Sequence, residues 1–503
     1  MTKTIKSTFL VTIFILAGQC LAFVTQIVIA AFFGADANMD AFLAANAAPQ
    51  YLMAALIGSI GLILIPVFVE YAAAGREEEA WQVASTVINS CLLAFGIFTV
   101  IGMVFADDIL RCIAPGLSGT THSMAVKIAL VTWPGILFLT AISLLTSVYQ
   151  SQLRFVWPAA VPVLGAAANL VMIAAFSRWW GVIGLAVATT CGLILQTSLL
   201  IPIVTRSGHY RMAIEWRHPG VAKILTLLAP LVFVNIISKA TPVVERFLAS
   251  SMPEGSISHL NYAFSLSAVV AMILSTGITT VIFPSMAVNA ASNDMEGLRR
   301  DVSSSLRFMW LMVAPATALG IALALPLASA FFLRGRFDAA DAMAVAGLLQ
   351  IYLLSLIGAC LGNITGRSFI ALKDTRTIAV VGTLESVAYL FYTYHLAGSF
   401  GTAGVACGFV ILYNVSFLWQ AFVIRYKTGN VGGRTVVDSF ARIGLAAIVA
   451  GIMAWFLSNL STNSWGQLVL GTVAGVIGYI AVLFALKVSE ARSLLGHLSA
   501  VIK

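Results

Sequence analysis

Charge is what this chain of 503 residues has least of. Asp, Glu, Lys and Arg make up 10% of it, against 60% hydrophobic residues. A soluble domain carries about 25% charged residues, so this chain lacks the polar surface that water requires. A soluble enzyme, a disordered regulator and a disulfide-rich secreted module are excluded. Cysteine is scarce as well. Cys20, Cys91, Cys112, Cys191, Cys360 and Cys407 form no CxxC pair, and five of them fall in apolar runs, where the thiol is a small hydrophobe. No disulfide framework and no metal site are implied. The six histidines are dispersed without ligand spacing, and there is no Walker A loop, HExxH or nucleophile elbow with triad partners. Nothing calls for a cofactor.

What the chain has is long apolar runs. Each is continuous, without the alternation of barrel strands, and backbone in lipid must be hydrogen-bonded internally. The fold class is therefore all-α, a polytopic membrane bundle. At about 20 residues per crossing, the runs predict fourteen spans: 9–33, 40–70, 82–106, 124–150, 155–177, 180–205, 221–251, 257–289, 302–333, 339–370, 376–397, 401–424, 438–460 and 465–487. Leu16-Ala17-Gly18 resembles a lipoprotein cleavage box, but Gln19 separates it from Cys20 and the run continues to Phe33. It reads as an uncleaved first span.

The positive-inside rule predicts orientation. With a cytoplasmic amino terminus, only Arg111, Arg178, Arg334 and Arg336 of the 28 Lys and Arg fall in outer loops. Lys127, Lys239 and Arg246 lie inside spans, and the other 21 are cytoplasmic, from Lys3 and Lys6 through Arg492 and Lys503. The net charge of +8 thus reflects topology and gives no reason to invoke nucleic acid. The longest outer loop covers only about residues 107–123, too little for a membrane polymerase or ligase site. The basic loop around Arg206–Lys223 divides the chain into an amino-terminal lobe (1–206), a carboxy-terminal lobe (207–428) and a terminal helix pair (429–503). Ile65-Pro66-Val67 at the end of span two and Phe283-Pro284-Ser285 at the end of span eight are a weak internal echo.

Charge inside span seven stands out. A mid-bilayer charge costs about 2.5–3.5 kcal/mol on insertion scales, so it normally faces a cavity or a partner. Lys239 lies near the middle of the span, Arg246 follows seven residues later on the same helical face, and Asn235 precedes Lys239 by one turn. Pro242 between them predicts a kink that can serve as a hinge. The stripe reads as an anion-binding wall for a phosphate-bearing substrate; the bland alternative is packing for Lys239 and snorkelling for Arg246. Glu245, turned about 100° from Arg246, is expected to pair with another helix. Polar residues recur on spans one, two and eight: Gln19 and Gln26, then Asp40, Asn46 and Gln50, then His259, Asn261, Tyr262 and Ser265. Singly these read as interhelical glue, together as a shared cavity. Glu385 in span eleven is a candidate coupling site, with hydrogen-bonded packing as the commoner role.

Several local patterns resemble the MurJ/MviN family of the multidrug/oligosaccharidyl-lipid/polysaccharide exporter superfamily. They are Gly34-Ala35-Asp36, Asp40-Ala41-Phe42 with Pro49, Ala114-Pro115-Gly116, the stretch from Glu245 through Leu266, Arg334-Gly335-Arg336-Phe337-Asp338, and Ala371-Leu372-Lys373-Asp374-Thr375-Arg376. They occur in family order across spans one to eleven. The resemblance implies two six-helix lobes, a terminal pair forming a lipid-tail groove, and a flippase that moves an undecaprenyl-diphosphate-linked glycan, lipid II, by alternating access. It also implies the lipid bilayer and cell-wall or polysaccharide synthesis enzymes as partners. Relatives carry cavity arginines in spans one, two and eight, where this chain has Gln19, Thr25, Met53, Ala54 and Ser265. Asp40 is retained, and Lys239 stands where relatives often have glutamine. An exopolysaccharide repeat-unit exporter is therefore the alternative substrate reading. A drug/cation antiporter would need an acidic, aromatic cavity.

Overall fold

The computed structural model describes residues 2–430 and 432–491. The topogenic Arg492 and Lys503, and the side chains of Lys3 and Lys6, lie outside the described residues. Helices account for most of the described chain. In order they are α1 (Thr2–Phe33), α2 (Ala37–Ala45), α3 (Ala47–Leu52), α4 (Gly58–Ala73), α5 (Glu77–Val104), α6 (Ala106–Ile113), α7 (Gly119–Thr132), α8 (Gly135–Ser151), α9 (Val156–Leu200) and α10 (Pro202–Ser207). They continue as α11 (Pro219–Ser238), α12 (Thr241–Ser250), α13 (Ser256–Ala291), α14 (Met295–Ala322), α15 (Ala324–Phe332), α16 (Ala339–Ala371), α17 (Thr375–Thr428), α18 (Gly433–Ser458) and α19 (Ser464–Ala485). A π-helical turn, Met53–Ile57, joins α3 to α4.

The scarce carboxylates are spent at helix starts. Asp36 accepts from the Met39 amide of α2, Asp294 from Gly297 of α14, and Asp374 from Thr377 of α17. Asp338 and Asp341 form a reciprocal capping box on α16. An acidic cap satisfies an orphan N–H and complements the helix dipole, which suits a helix that begins at a membrane surface.

Among the described residues, twelve stretches are long and apolar enough to cross a membrane. Two of them are too long for one crossing. At 1.5 Å per residue the 45-residue α9 would measure about 68 Å, twice the roughly 30 Å of a hydrocarbon core. Both long helices break at a glycine in the left-handed region: Gly181 (φ 56°, ψ −135°) in α9 and Gly401 (φ 58°, ψ −137°) in the 54-residue α17. A second glycine follows each. A Cβ on Gly184 would lie 2.2 Å from the Phe176 carbonyl oxygen, and one on Gly404 would lie 2.0 Å from that of Leu396. The tight reversal inside α9 is thus built again inside α17.

That echo extends along the chain. The positive-φ residues Gly34, Gly75, Gly119, Leu153, Gly181 and Gly208 are followed in the same order by Gly255, Asn293, Gly335, Lys373, Gly401 and Gly429. The spacing is nearly constant: 401 follows 181 as 373 follows 153. The backbone therefore repeats itself at an offset of about 220 residues.

The chain forms two compact units, Met1–Ser258 and His259–Lys503. In the first, α1 packs on α9, α2 on α7, and α4 on α5 and α8. This unit also takes in α11, packed on α4, and α12, packed on α3 and α6. In the second, α16 packs on α17, and α14 on α16 and α18. The terminal pair α18 and α19 meets along small residues: Gly471 and Gly475 face the Ala454 and Ala450 carbonyls closely enough that a Cβ would stand 3.0 Å from each, the packing expected of membrane helices. Tyr479 of α19 donates to the Leu311 carbonyl of α14 at 2.7 Å.

Candidate functional site

The first unit encloses a cavity of about 830 Å³. Amide side chains line it from several helices: Gln19 and Gln26 of α1, Asn46 between α2 and α3, Gln50 of α3, Gln150 of α8, and Asn169 and Gln196 of α9. Thr189 and Thr190 add hydroxyls. No Asp, Glu, Lys or Arg among the described residues lines it. Gly165 makes room for Gln196, whose Cγ would lie 2.3 Å from a Cβ there. Gln26 Oε1 and Asn169 Oδ1 are buried without a hydrogen-bond partner among the described residues. A buried unpaired acceptor is costly, so this wall is suited to a ligand or water that donates.

The second unit contains a cavity of about 930 Å³. Its wall comes from α13 (Phe264, Ser267, Met272), α16 (Ser355, Asn363, Gly366, Arg367) and α17 (Phe409, Tyr413, Ser416, Gln420). Most of these are the repeat's equivalents of residues in the first cavity's wall. Ser416 stands as far beyond Gly401 as Gln196 stands beyond Gly181, and Phe264 as far before Pro284 as Asn46 before Pro66. Thr365 donates to Gln420 Oε1 at 2.7 Å, and Gln420 Nε2 donates to Ser416 Oγ at 3.0 Å, which fixes the Gln420 amide.

Of the residues singled out in the sequence, Gln19, Thr25, Gln26, Asn46, Gln50 and Met53 converge on the first cavity. Asn235 donates to Ser59 Oγ at 2.7 Å and ties α11 to α4. The helix breaks beside Pro242: α11 ends at Ser238, Lys239 occupies its C-cap and α12 starts at Thr241. Lys239 and Arg246 consequently do not share one continuous helical face. Lys239 is exposed, and its side chain makes no hydrogen bond or ion pair with a described residue. Arg246 lies 3.4 Å from Glu245, so the expectation that Glu245 pairs with another helix is corrected. Both side chains are long and nearly buried, and a buried ion turns to its nearest counter-charge despite the angle between neighbouring positions. Ser265 donates to the Asn261 carbonyl at 2.7 Å within α13. Glu385 lies beside Ser416 of the second cavity's wall and is not itself among the lining residues.

Asp40 is buried and fully engaged. Its carboxylate accepts from the Gly255 amide at 2.7 Å, the Ser258 amide at 2.8 Å and the Ser258 hydroxyl at 2.6 Å. Nearby, Ala37 N donates to Glu254 at 2.9 Å, and Gly116 N to Ser250 Oγ at 3.1 Å. Three of the motifs read from the sequence, at residues 34–42, 114–116 and 245–258, thus lock one another in the first unit. In the second, Phe337 of the 334–338 motif packs against Tyr262 and Phe332, with ring centroids 5.6 Å apart in each case. His259 meets Asp341 at 2.9 Å. The motifs are chiefly structural, and the cavity amides lie outside most of them. Gln150, Asn169 and Gln196 carried one signal that the sequence reading passed over: each is an amide within an apolar span.

Outside the spans, hydrogen bonding from His122 and the Arg111 charge hold the Asp107 carboxyl below its usual range. Hydrogen bonds from Lys427 and Thr377 do the same for Asp374.

A family model described as "Lipid II flippase MurJ" matches residues 29–474. A relative from Vibrio cholerae serotype O1, named "Probable lipid II flippase MurJ", is 25% identical over 515 residues and covers 97% of each chain. A solved structure described as "Lipid II flippase MurJ, inward closed conformation" matches with a TM-score of 0.84 at 21% identity, over 97% of this chain and 100% of that one. An inward-facing multidrug resistance MATE family transporter of the MOP superfamily shares the fold at a TM-score of 0.69 and 15% identity, over 82% of this chain and 96% of that one.

Proposed function

The chain belongs to the lipid II flippase MurJ family, and from that membership we propose how it handles its cargo. It is a multi-pass transporter of the bacterial inner membrane and not an enzyme. The cargo is an undecaprenyl-diphosphate-linked glycan precursor, lipid II of peptidoglycan synthesis, carried from the inner to the outer leaflet by alternating access.

The amide-lined cavity of the first unit is the observation that carries this reading. Sugar hydroxyls and peptide groups both donate and accept, and Asn and Gln side chains do the same. The unpaired oxygens of Gln26 and Asn169 call for such donors. Lys239, exposed beside the helix break, is one cation available to the diphosphate, whereas Arg246 is held by Glu245. An antiporter for cationic drugs would place carboxylates in its cavity, and neither cavity has one among its lining residues.

In this reading α9 and α17 each cross the membrane twice, giving fourteen crossings with both termini cytoplasmic. The lobes are residues 1–206 and 207–428, followed by the terminal pair. The break at Lys239–Pro242 serves as a pivot, and Glu385 couples transport to an ion gradient or the membrane potential. Cell-wall synthesis enzymes are the expected partners.

Complementation tests it. The gene should restore growth to a strain depleted of its lipid II flippase, and Lys239→Ala should lower that rescue at least several-fold. Failure to rescue, combined with restoration of an exopolysaccharide-export mutant, would replace lipid II with a polysaccharide repeat unit.

A further inference from the structure

Arg367 is the one charged side chain among the described residues that line the second cavity. It lies four residues before the end of α16 at Ala371. An arginine there would ordinarily snorkel to the interface or mark the cytoplasmic side. Arg367 instead contributes to the cavity wall beside Gly366 and Asn363. Its side chain makes no hydrogen bond or ion pair with a described residue. Its guanidinium carbon lies 5.5 Å from the centroid of the Phe283 ring. A ring face holds the cation in place without consuming any of its five N–H donors.

The wall beside the cation is open at the neighbouring glycine. A Cβ on Gly366 would meet nothing closer than Gln420 Oε1 at 3.7 Å. Counted from the left-handed Leu153 and Lys373, the repeat's equivalent of Arg367 is Ser147, which is buried in α8 and donates to the Ser143 carbonyl at 2.9 Å. The cation is therefore particular to the second unit and is not part of the repeated packing.

We propose that Arg367 docks the diphosphate of the lipid-linked glycan in the second unit's cavity, a site that rests on the flippase reading and extends it. A planar guanidinium presents parallel N–H groups that match two phosphate oxygens, which a lysine ammonium does not. Phosphate esters are common to the diphosphate carrier and to bulk phospholipid, and the test separates the two.

The full chain is reconstituted in phosphatidylcholine nanodiscs, and binding of undecaprenyl diphosphate is measured against undecaprenol. Arg367→Gln should lose about tenfold to a hundredfold of its affinity for the diphosphate, the range of a charge-assisted hydrogen bond, with undecaprenol binding unchanged. Arg367→Lys should lose less. Wild-type affinity in a folded Arg367→Gln protein overturns the proposal. So does equal displacement of the diphosphate by phosphatidylglycerol, which would make Arg367 a reader of any lipid phosphate. If Arg367→Gln does not accumulate, Arg367→Lys decides: a several-fold loss at an unchanged melting temperature supports docking, and no loss overturns it. Failure of the flippase reading shows separately, as a wild-type chain that binds the diphosphate without rescuing the depleted strain.

Discussion

Asn46, Gln50 and Gln196 line the first cavity; at the equivalent places the second has Phe264, Ala268 and Ser416. One backbone plan thus carries two chemistries. The repeat conserves what sets the course of the chain, namely the left-handed turns and the GxxG reversals at Gly181 and Gly401. Side chains that face open space escape that constraint. The first cavity has become a neutral field of donors and acceptors suited to sugar and peptide, and the second an aromatic wall with one arginine. A headgroup that joins a glycan to a diphosphate contains both chemistries. The difference teaches that duplication fixes where a cavity forms, and divergence then decides what it holds.

The strongest way to break the comparison is to give the first unit the second unit's arginine. Ser147 is only 5% exposed, and its Oγ would lie 2.8 Å from a Cβ on Gly61, so α4 leaves no room for a guanidinium. Ser147→Arg places an unpaired charge in a packed helix interface. The expected cost is about 3–5 kcal/mol, read as loss of the folded protein from membranes or a large drop in melting temperature. A stable Ser147→Arg protein would mean that the two walls are interchangeable.

Much of the fold was open to reading from the sequence, for reasons that also explain what was hidden. The expected ends 177/180 and 397/401 fall within a few residues of the breaks at Gly181 and Gly401 because apolar runs stop where a helix must leave the membrane. The repeat itself was visible only as Pro66 and Pro284. Its better markers include Leu153, Asn293 and Lys373 at positive φ, a conformation with no reliable signature for a non-glycine residue. Gln150, Asn169 and Gln196 each look like isolated interhelical glue until the helices bring them to one wall. The stripe of Lys239 and Arg246 assumed an unbroken helix, and the start of α12 beside Pro242 removed it. Arg367 was concealed by its usefulness for orientation: near the end of a span, it counted towards topology before it could count towards chemistry.

A smaller effect sharpens the contrast between the walls. Gln196→Leu removes one amide from the first cavity without removing volume, so binding of a lipid-linked glycan should weaken about threefold to tenfold, the net worth of one hydrogen bond. Ser416→Leu at the equivalent place should change glycan binding less, because the second wall is not assigned to sugar. Equal losses, measured with the same lipid-linked disaccharide in nanodiscs, would erase the division of labour.

The smallest effect lies outside both cavities, in carboxylates that set the helix ends. Asp107 in the first unit takes hydrogen bonds from His122 and Arg111, and Asp374 in the second takes them from Lys427 and Thr377. Both folded-state pKa values are depressed below the ordinary aspartate value of 3.8. For a depressed carboxyl, the stabilisation is fully present above the unfolded value and disappears as pH falls through the folded one. Melting temperature should therefore not respond through these groups between pH 8 and pH 5, and should begin to fall near about pH 4. Asp107→Asn and Asp374→Asn should each flatten that acid limb slightly, since both groups are close to water and their pairs are screened. A fall that begins at pH 6 would have to come from other groups, and would leave the helix-end carboxylates of the two units as spectators.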